Sequence, residues 1–219
     1  VQSLRARNKV IVLEPSEPNR VERCVTMFEF GAIAEAERCE NALGSSEQET
    51  NDRRQLKGWL RYANGDFKGA LALIKREDLS ESWQRAEYLR LVGKSSDALE
   101  LYRKLVPNLF ETNVASIEAS FPGDTVSVAA ALLQTGQIAK AHRLLRLGIK
   151  ASAGAAINGS LGRRWSEVTA YALLDDYHNA CKALSEAADQ QYFLNYRRLL
   201  IDPALSKFRQ QACFVEQIE

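Results

Sequence analysis

The stretch RRQLKGWLRYANGDFKGALALI, residues 53–74, decides the fold. Its first half, 53–64, is an amphipathic run at helical spacing, and its second half carries Ala70 inside another apolar run. Between them sits Gly65, where a left-handed backbone turn costs little only for glycine or asparagine. The alanine falls where two helices cross closely, so a larger side chain would push them apart. The stretch therefore predicts helix, tight turn, helix.

Working outward, four more segments carry the same signature of a turn residue, an alanine and an apolar helical run: GAIAEAERCENAL (31–43), GKSSDALELYRKL (93–105), GQIAKAHRLLRLG (136–148) and DDYHNACKALSEA (175–187). The matching alanines, Ala36, Ala70, Ala98, Ala141 and Ala180, are spaced 34, 28, 43 and 39 residues apart, an irregularity that implies loop insertions and one short repeat. Amphipathic runs precede the later turns as well: SWQRAEYLRLV (82–92), TVSVAAALLQT (125–135) and RWSEVTAYALL (164–174).

The second unit resembles tetratricopeptide (TPR) repeats in Gly58, Gly65-Asp66-Phe67 and Ala70. The third does so in Ala86, Gly93, Ala98 and Tyr102, and the fifth in Tyr171, Tyr177 and Ala180. The resemblance covers roughly residues 22–190. It implies an all-α fold, a right-handed TPR-like α-α superhelix of about five helical hairpins with a C-terminal capping helix. The expected organisation is an extended N-terminal arm over 1–20, helical repeats over 21–190 and C-terminal capping helices over 191–219. The arm contains a β-like run, Val10 to Leu13, ended by Pro15 and Pro18. Irregular connections are expected at 106–124 and at 151–164 around Asn158-Gly159. Near the end, Asp202-Pro203 reads as an N-cap with proline at the first helical position, opening a helix with Leu205, Phe208 and Ala212 on one face. The order of this tail also resembles the end of TPR regions in some bacterial regulators, among them membrane-spanning winged-helix activators and relatives of adenylate cyclases. That resemblance implies the sensory or partner-binding part of a larger regulator.

Composition narrows the function classes. Hydrophobic residues make up 46% of the 219, enough for a real core. The 29 basic and 28 acidic residues leave a formal charge of +1, which gives no electrostatic footprint for nucleic acid and no basic stripe for a membrane surface. No stretch of apolar residues is long enough to insert in a bilayer. The chain begins VQSLRARNKV, without Met or a following apolar region, which suggests a fragment or a processed chain with no visible signal peptide. Cys24, Cys39, Cys181 and Cys213 form no C-x-x-C and read as four reduced, partly buried residues, with a Cys24–Cys39 bridge open in an oxidising compartment. The compartment itself stays unknown: the cytoplasm is favoured, and the periplasm is open if the chain belongs to a membrane-anchored regulator.

No catalytic, cofactor or metal motif stands out: there is no H-E-x-x-H, no G-x-S-x-G and no Walker-type loop. His142 and His178 lie in different repeats and read as surface or partly packed residues. The acidic run Glu35, Glu37, Glu40, Glu47, Glu49 and Asp52 reads as a solvated face, or as a rim for a basic partner. The family spacing places Trp59 and Tyr62, then Trp83, Glu87 and Arg90, then Trp165 and Thr169 on first helices that line the concave groove. Aromatics and arginine are enriched at binding hot spots, whereas packing between neighbouring hairpins is the structural alternative for the tryptophans. The expected function is thus a non-catalytic scaffold without cofactors that binds a peptide or protein partner in the groove. A small-molecule sensor and a homodimerisation module are the alternatives.

Overall fold

The computed structural model describes residues 17–44, 50–74, 82–111, 122–154, 163–187 and 193–218. All regular structure among them is helical, and the chain divides into two units, 1–77 and 78–219. Unit 1 holds two hairpins, α1 (Glu17–Glu29) with α2 (Ile33–Asn41) and α3 (Asn51–Ala63) with α4 (Phe67–Leu73). Unit 2 holds three, α5 (Ser82–Leu91) with α6 (Ser95–Leu105), α7 (Pro122–Gln134) with α8 (Ile138–Gly154), and α9 (Arg163–Leu173) with α10 (Tyr177–Ala187). It ends in α11 (Phe193–Ile201), two 3-10 turns (Pro203–Leu205 and Phe208–Gln210) and α12 (Ala212–Ile218).

The five hairpin turns share one hydrogen-bond pattern. In the second, the Asp66 amide donates to the Arg61 carbonyl and the Gly65 amide to that of Tyr62, both at 2.9 Å. The same pair of bonds closes the turns at Gly31, Gly93, Gly136 and Asp175. Each centres on one left-handed residue, Gly31, Gly65, Gly93 and Gly136 at φ of 78, 77, 85 and 75°, and Asp175 at 56°. This is the Schellman closure, which satisfies the last carbonyls of the first helix while reversing the chain. A Cβ added at Gly93 would meet nothing within 4 Å, so only backbone strain opposes a side chain there. Gly93→Ala is accordingly expected to destabilise unit 2 by about 1–2 kcal/mol, read from the shift of a urea unfolding curve at constant slope.

All five repeat alanines are fully buried, at 0% exposure. With no side chain beyond Cβ they let paired helices approach closely, and larger residues fill the space around them: Val21, Phe28, Leu56 and Leu60 in unit 1, and Leu89, Leu99, Val128, Leu145, Val168 and Leu184 in unit 2. The first helix of a hairpin packs on both helices of its predecessor in two places: α3 on α1 and α2, and α9 on α7 and α8.

One expectation changes outright, and three fall largely outside the described residues. The arm expected over 1–20 is one of these, Val10 to Leu13 included, and 17–20 already belong to α1. The connection at 106–124 begins as a 3-10 turn, Pro107–Phe110, and 112–121 lie outside the described residues. Around Asn158-Gly159 the same holds for 155–162, while 151–154 continue α8. The helix expected after Asp202-Pro203 is instead two short 3-10 turns. Asp202 does cap the first, accepting from the Ala204 amide at 3.0 Å, and Leu205 and Phe208 are buried, but Ala212 is exposed and starts a separate helix.

The cysteines are not reduced. Cys24 in α1 is bonded to Cys39 in α2, and Cys181 in α10 to Cys213 in α12. The Cα separations of 5.5 and 5.8 Å fall in the usual disulfide range of about 4.4–6.8 Å, because each pair faces across two packed helices.

Candidate functional site

The residues expected to line a groove separate into two groups. Trp59 is half-buried on α3 and stacks on the fully buried Phe28 of α1, with ring centroids 5.8 Å apart. Tyr62, one turn on, lies 6.0 Å from the ring of Phe67. Trp83 is half-buried against Tyr102, centroids 4.9 Å apart. Trp165 and Thr169 on α9 are buried, and the Thr169 hydroxyl donates back to the Trp165 carbonyl at 2.9 Å. Arg90 is buried completely. The tryptophans thus pack against neighbouring helices, and Arg90, Trp165 and Thr169 present no surface to a partner.

Arg90 is the centre of a buried charge cluster in unit 2. Its Nη1 and Nη2 donate to the two carboxylate oxygens of Asp202 at 3.1 and 2.6 Å. Its Nε and Nη2 also donate to Glu87, at 3.1 and 2.6 Å. The Tyr102 hydroxyl donates to Glu87 at 2.8 Å. Arg198 of α11 stands 3.3 Å from Glu87 and 3.5 Å from Asp202, while its Nη1 donates to the Ser127 hydroxyl. Two guanidinium groups therefore balance two carboxylates out of water. Burial alone would raise the Glu87 pKa. The charges of Arg198 and Arg90, with hydrogen bonds from Arg90 and Tyr102, outweigh it and hold Glu87 well below the usual carboxylate range. A carboxylate so held exchanges no proton near neutral pH. The cluster joins α5, α6 and α7 to the C-terminal segment, and its chemistry is that of a fixed internal clasp.

The acidic run on α2 is likewise engaged. Glu35 pairs with Arg38 at 3.0 Å, Glu37 accepts from Asn64, and buried Glu40 pairs with Arg53 at 3.0 Å and Lys57 at 3.6 Å. His142 is half-buried on α8 and His178 exposed on α10. Among the described residues no group of three or more His, Cys, Asp or Glu is placed to hold a metal ion, and no helix is long and apolar enough to cross a membrane.

An open concavity of unit 2 lies elsewhere, where α6, the Pro107–Phe110 turn, α7 and α8 meet. It is a cleft of about 300 Å³. Leu109, Leu132 and Leu144 form a buried floor, with Phe110 and Leu147 half-buried beside them. Arg103, Lys140 and Arg143 stand exposed on its rim with one acidic neighbour, Glu111. The Arg103 guanidinium lies over the Phe110 ring, 5.3 Å from its centroid, and the Lys140 ammonium donates to Gln137 at 3.1 Å. The sequence pattern points to first helices, whereas the cleft is built mainly from second helices and the irregular connection, with Leu132 of α7 from a first helix. The cleft's only local signal is Lys140, Arg143, Leu144 and Leu147 on successive turns of one helix.

No protein-family model, curated protein or solved structure matches this chain.

Proposed function

We propose that this chain is a non-catalytic binding module of TPR-like helical hairpins that holds an acidic peptide segment of a partner protein. The observation that carries the reading is the cleft of unit 2, with three rim cations set over a leucine and phenylalanine floor. An apolar floor supplies affinity once water is displaced, and a rim with an excess of one sign selects and steers the opposite charge. A peptide that alternates apolar and acidic side chains matches both. The packing of α3 and α9 on both helices of the preceding hairpin supports the TPR-like description. The resemblance of the tail to bacterial regulators supports a regulatory part of a larger protein. Two disulfides favour an oxidising compartment, which for such a regulator is the periplasm.

The test is fluorescence anisotropy with a labelled Leu/Glu-alternating peptide and its Leu/Lys counterpart. The acidic peptide is expected to bind, more weakly as salt is added. Reversing two rim charges together, Arg103→Glu with Lys140→Glu, is expected to weaken it about tenfold or more. Equal binding of the basic peptide, or an unchanged affinity in the reversed variant, would count against the reading. The cleft volume of about 300 Å³ also lies at the lower edge of small-ligand pockets, about 300–1,000 Å³, so a compact amphipathic anion is the second reading.

A further inference from the structure

We infer that the partner's acidic segment continues past the cleft: beside its apolar anchor it carries a run of Asp or Glu that lies on the outer face of α8, against Arg146 and Lys150. The inference rests on the cleft reading above and adds the order of the ligand, an apolar anchor joined to an acidic run.

Over Ile138–Gly154, α8 carries Lys140, Arg143, Arg146 and Lys150 and no Asp or Glu. The chain as a whole is nearly balanced at a formal charge of +1, so its total conceals this local concentration. All four cations are exposed. Lys140 and Arg143 line the cleft, whereas Arg146 and Lys150 do not. These two follow Arg143 at i+3 and i+7, so the three share one helix face, and the cationic surface runs on from the cleft wall along the helix. Arg143 is already engaged within the protein. Arg146 and Lys150 make no ion pair and no side-chain hydrogen bond among the described residues. They stand four residues apart, where like charges on a helix repel, and an anionic run laid across both relieves that repulsion.

The spacing suits a peptide. From Lys140 to Lys150 the helix rises about 15 Å, which an extended segment of about five residues covers. With an apolar side chain seated on Leu109, Phe110 and Leu144, the next few residues of that segment reach Arg146 and Lys150. The leucine floor favours a peptide over a nucleic acid, because it takes an apolar side chain and offers nothing to a phosphate or to the polar edge of a base.

The experiment is fluorescence anisotropy on the full chain with three labelled peptides: the short Leu/Glu-alternating peptide, and the same peptide with a run of three Glu added at its N-terminus or at its C-terminus. One of the two extensions is expected to tighten binding about threefold to tenfold, the contribution of two exposed ion pairs. The order that gains gives the direction of the segment across α8. Arg146→Gln with Lys150→Gln changes two exposed positions where glutamine keeps helix propensity. It is expected to remove the gain and to leave the short peptide's affinity within about twofold. Lys182→Gln with Lys207→Gln removes the same charge from exposed positions of unit 2 outside α8 and is expected to keep the gain. If none of the three peptides binds, the cleft reading and this inference fall together. If the short peptide binds and neither extension gains more than about twofold, this inference falls alone. It is also overturned if the Arg146/Lys150 variant keeps the gain or the lysine control loses it. Binding of an acidic run without apolar residues, or of single-stranded DNA of the same charge, as tight as that of the extended peptide would overturn it too.

Discussion

Arg90→Ala is expected to destabilise unit 2 by about 3–5 kcal/mol, the usual cost of removing one partner from a buried ion cluster. That is a large share of the roughly 5–15 kcal/mol that holds a typical domain together. The side chain is fully buried and gives both of its forks to carboxylates, so its loss leaves Glu87 and Asp202 facing Arg198 alone. Arg90→Lys should rescue little, since an ammonium cannot span two carboxylates at once. The measurement is urea unfolding in a Trp59→Phe background, where Trp83 and Trp165 report on unit 2. The pH dependence gives an independent check. Glu87 is held below its ordinary value of 4.5, so its ionised form adds stability that is complete above that value and drains away as the pH falls below it. In Arg90→Ala this acid-labile contribution is reduced, since Arg198 and Tyr102 still hold Glu87 low, and the gap between variant and parent should narrow in acid. A loss under about 1 kcal/mol at neutral pH would mean that the cluster is better solvated than its burial indicates.

The sequence exposes the hairpins far better than it exposes this cluster, and the reason is range. A Schellman turn is written in adjacent residues, so Gly31, Gly65, Gly93 and Gly136 announce it, and Asp175 takes the same left-handed place without being glycine. The buried alanines are equally local, because each lies in the second helix of a hairpin whose two helices adjoin in the chain and pack on one another. Glu87 and Arg90 are visible as a pair three residues apart on one helix, but their burial is decided by Asp202, which lies 112 residues from Arg90. Without that partner nothing local marks the pair as buried, and the family spacing alone points it to a groove. The cleft of unit 2 was hidden for a similar reason: Phe110 belongs to an irregular turn, and only tertiary packing brings it beside Leu144 and Lys140. The cysteine pairs are a third instance, since helical spacing shows which face each occupies but not which face it meets.

The second large effect is expected from the disulfides, and it should differ between them. Closing a loop removes entropy from the unfolded chain in proportion to the logarithm of its length. Cys181–Cys213 spans a separation of 32 residues, for which that term is about 3–4 kcal/mol; Cys24–Cys39 spans 15, for which it is about 3 kcal/mol. Cys181→Ala with Cys213→Ala should therefore lower the unfolding midpoint seen by Trp83 and Trp165. Cys24→Ala with Cys39→Ala should act on the transition seen by Trp59. Reduction of the parent should reproduce both, and a change below about 1 kcal/mol in each would contradict the entropic account. The Cys181–Cys213 bond has a further consequence. It fixes α12 to α10, while Arg90 fixes Asp202 to α5, so both fasten the same C-terminal segment to unit 2. Arg209 adds to this hold by donating to the carbonyls of Leu199 and Asp202 at 3.1 and 2.8 Å, and Phe208 packs edge-on to Phe214 with centroids 5.4 Å apart. If the segment opens as one local unit, losing either fastener already releases much of what the other holds. The combined variant should then lose less than the sum of its parts by more than about 0.5 kcal/mol, the coupling expected of sites in one network, whereas simple additivity would show that the two fasteners act on separate events.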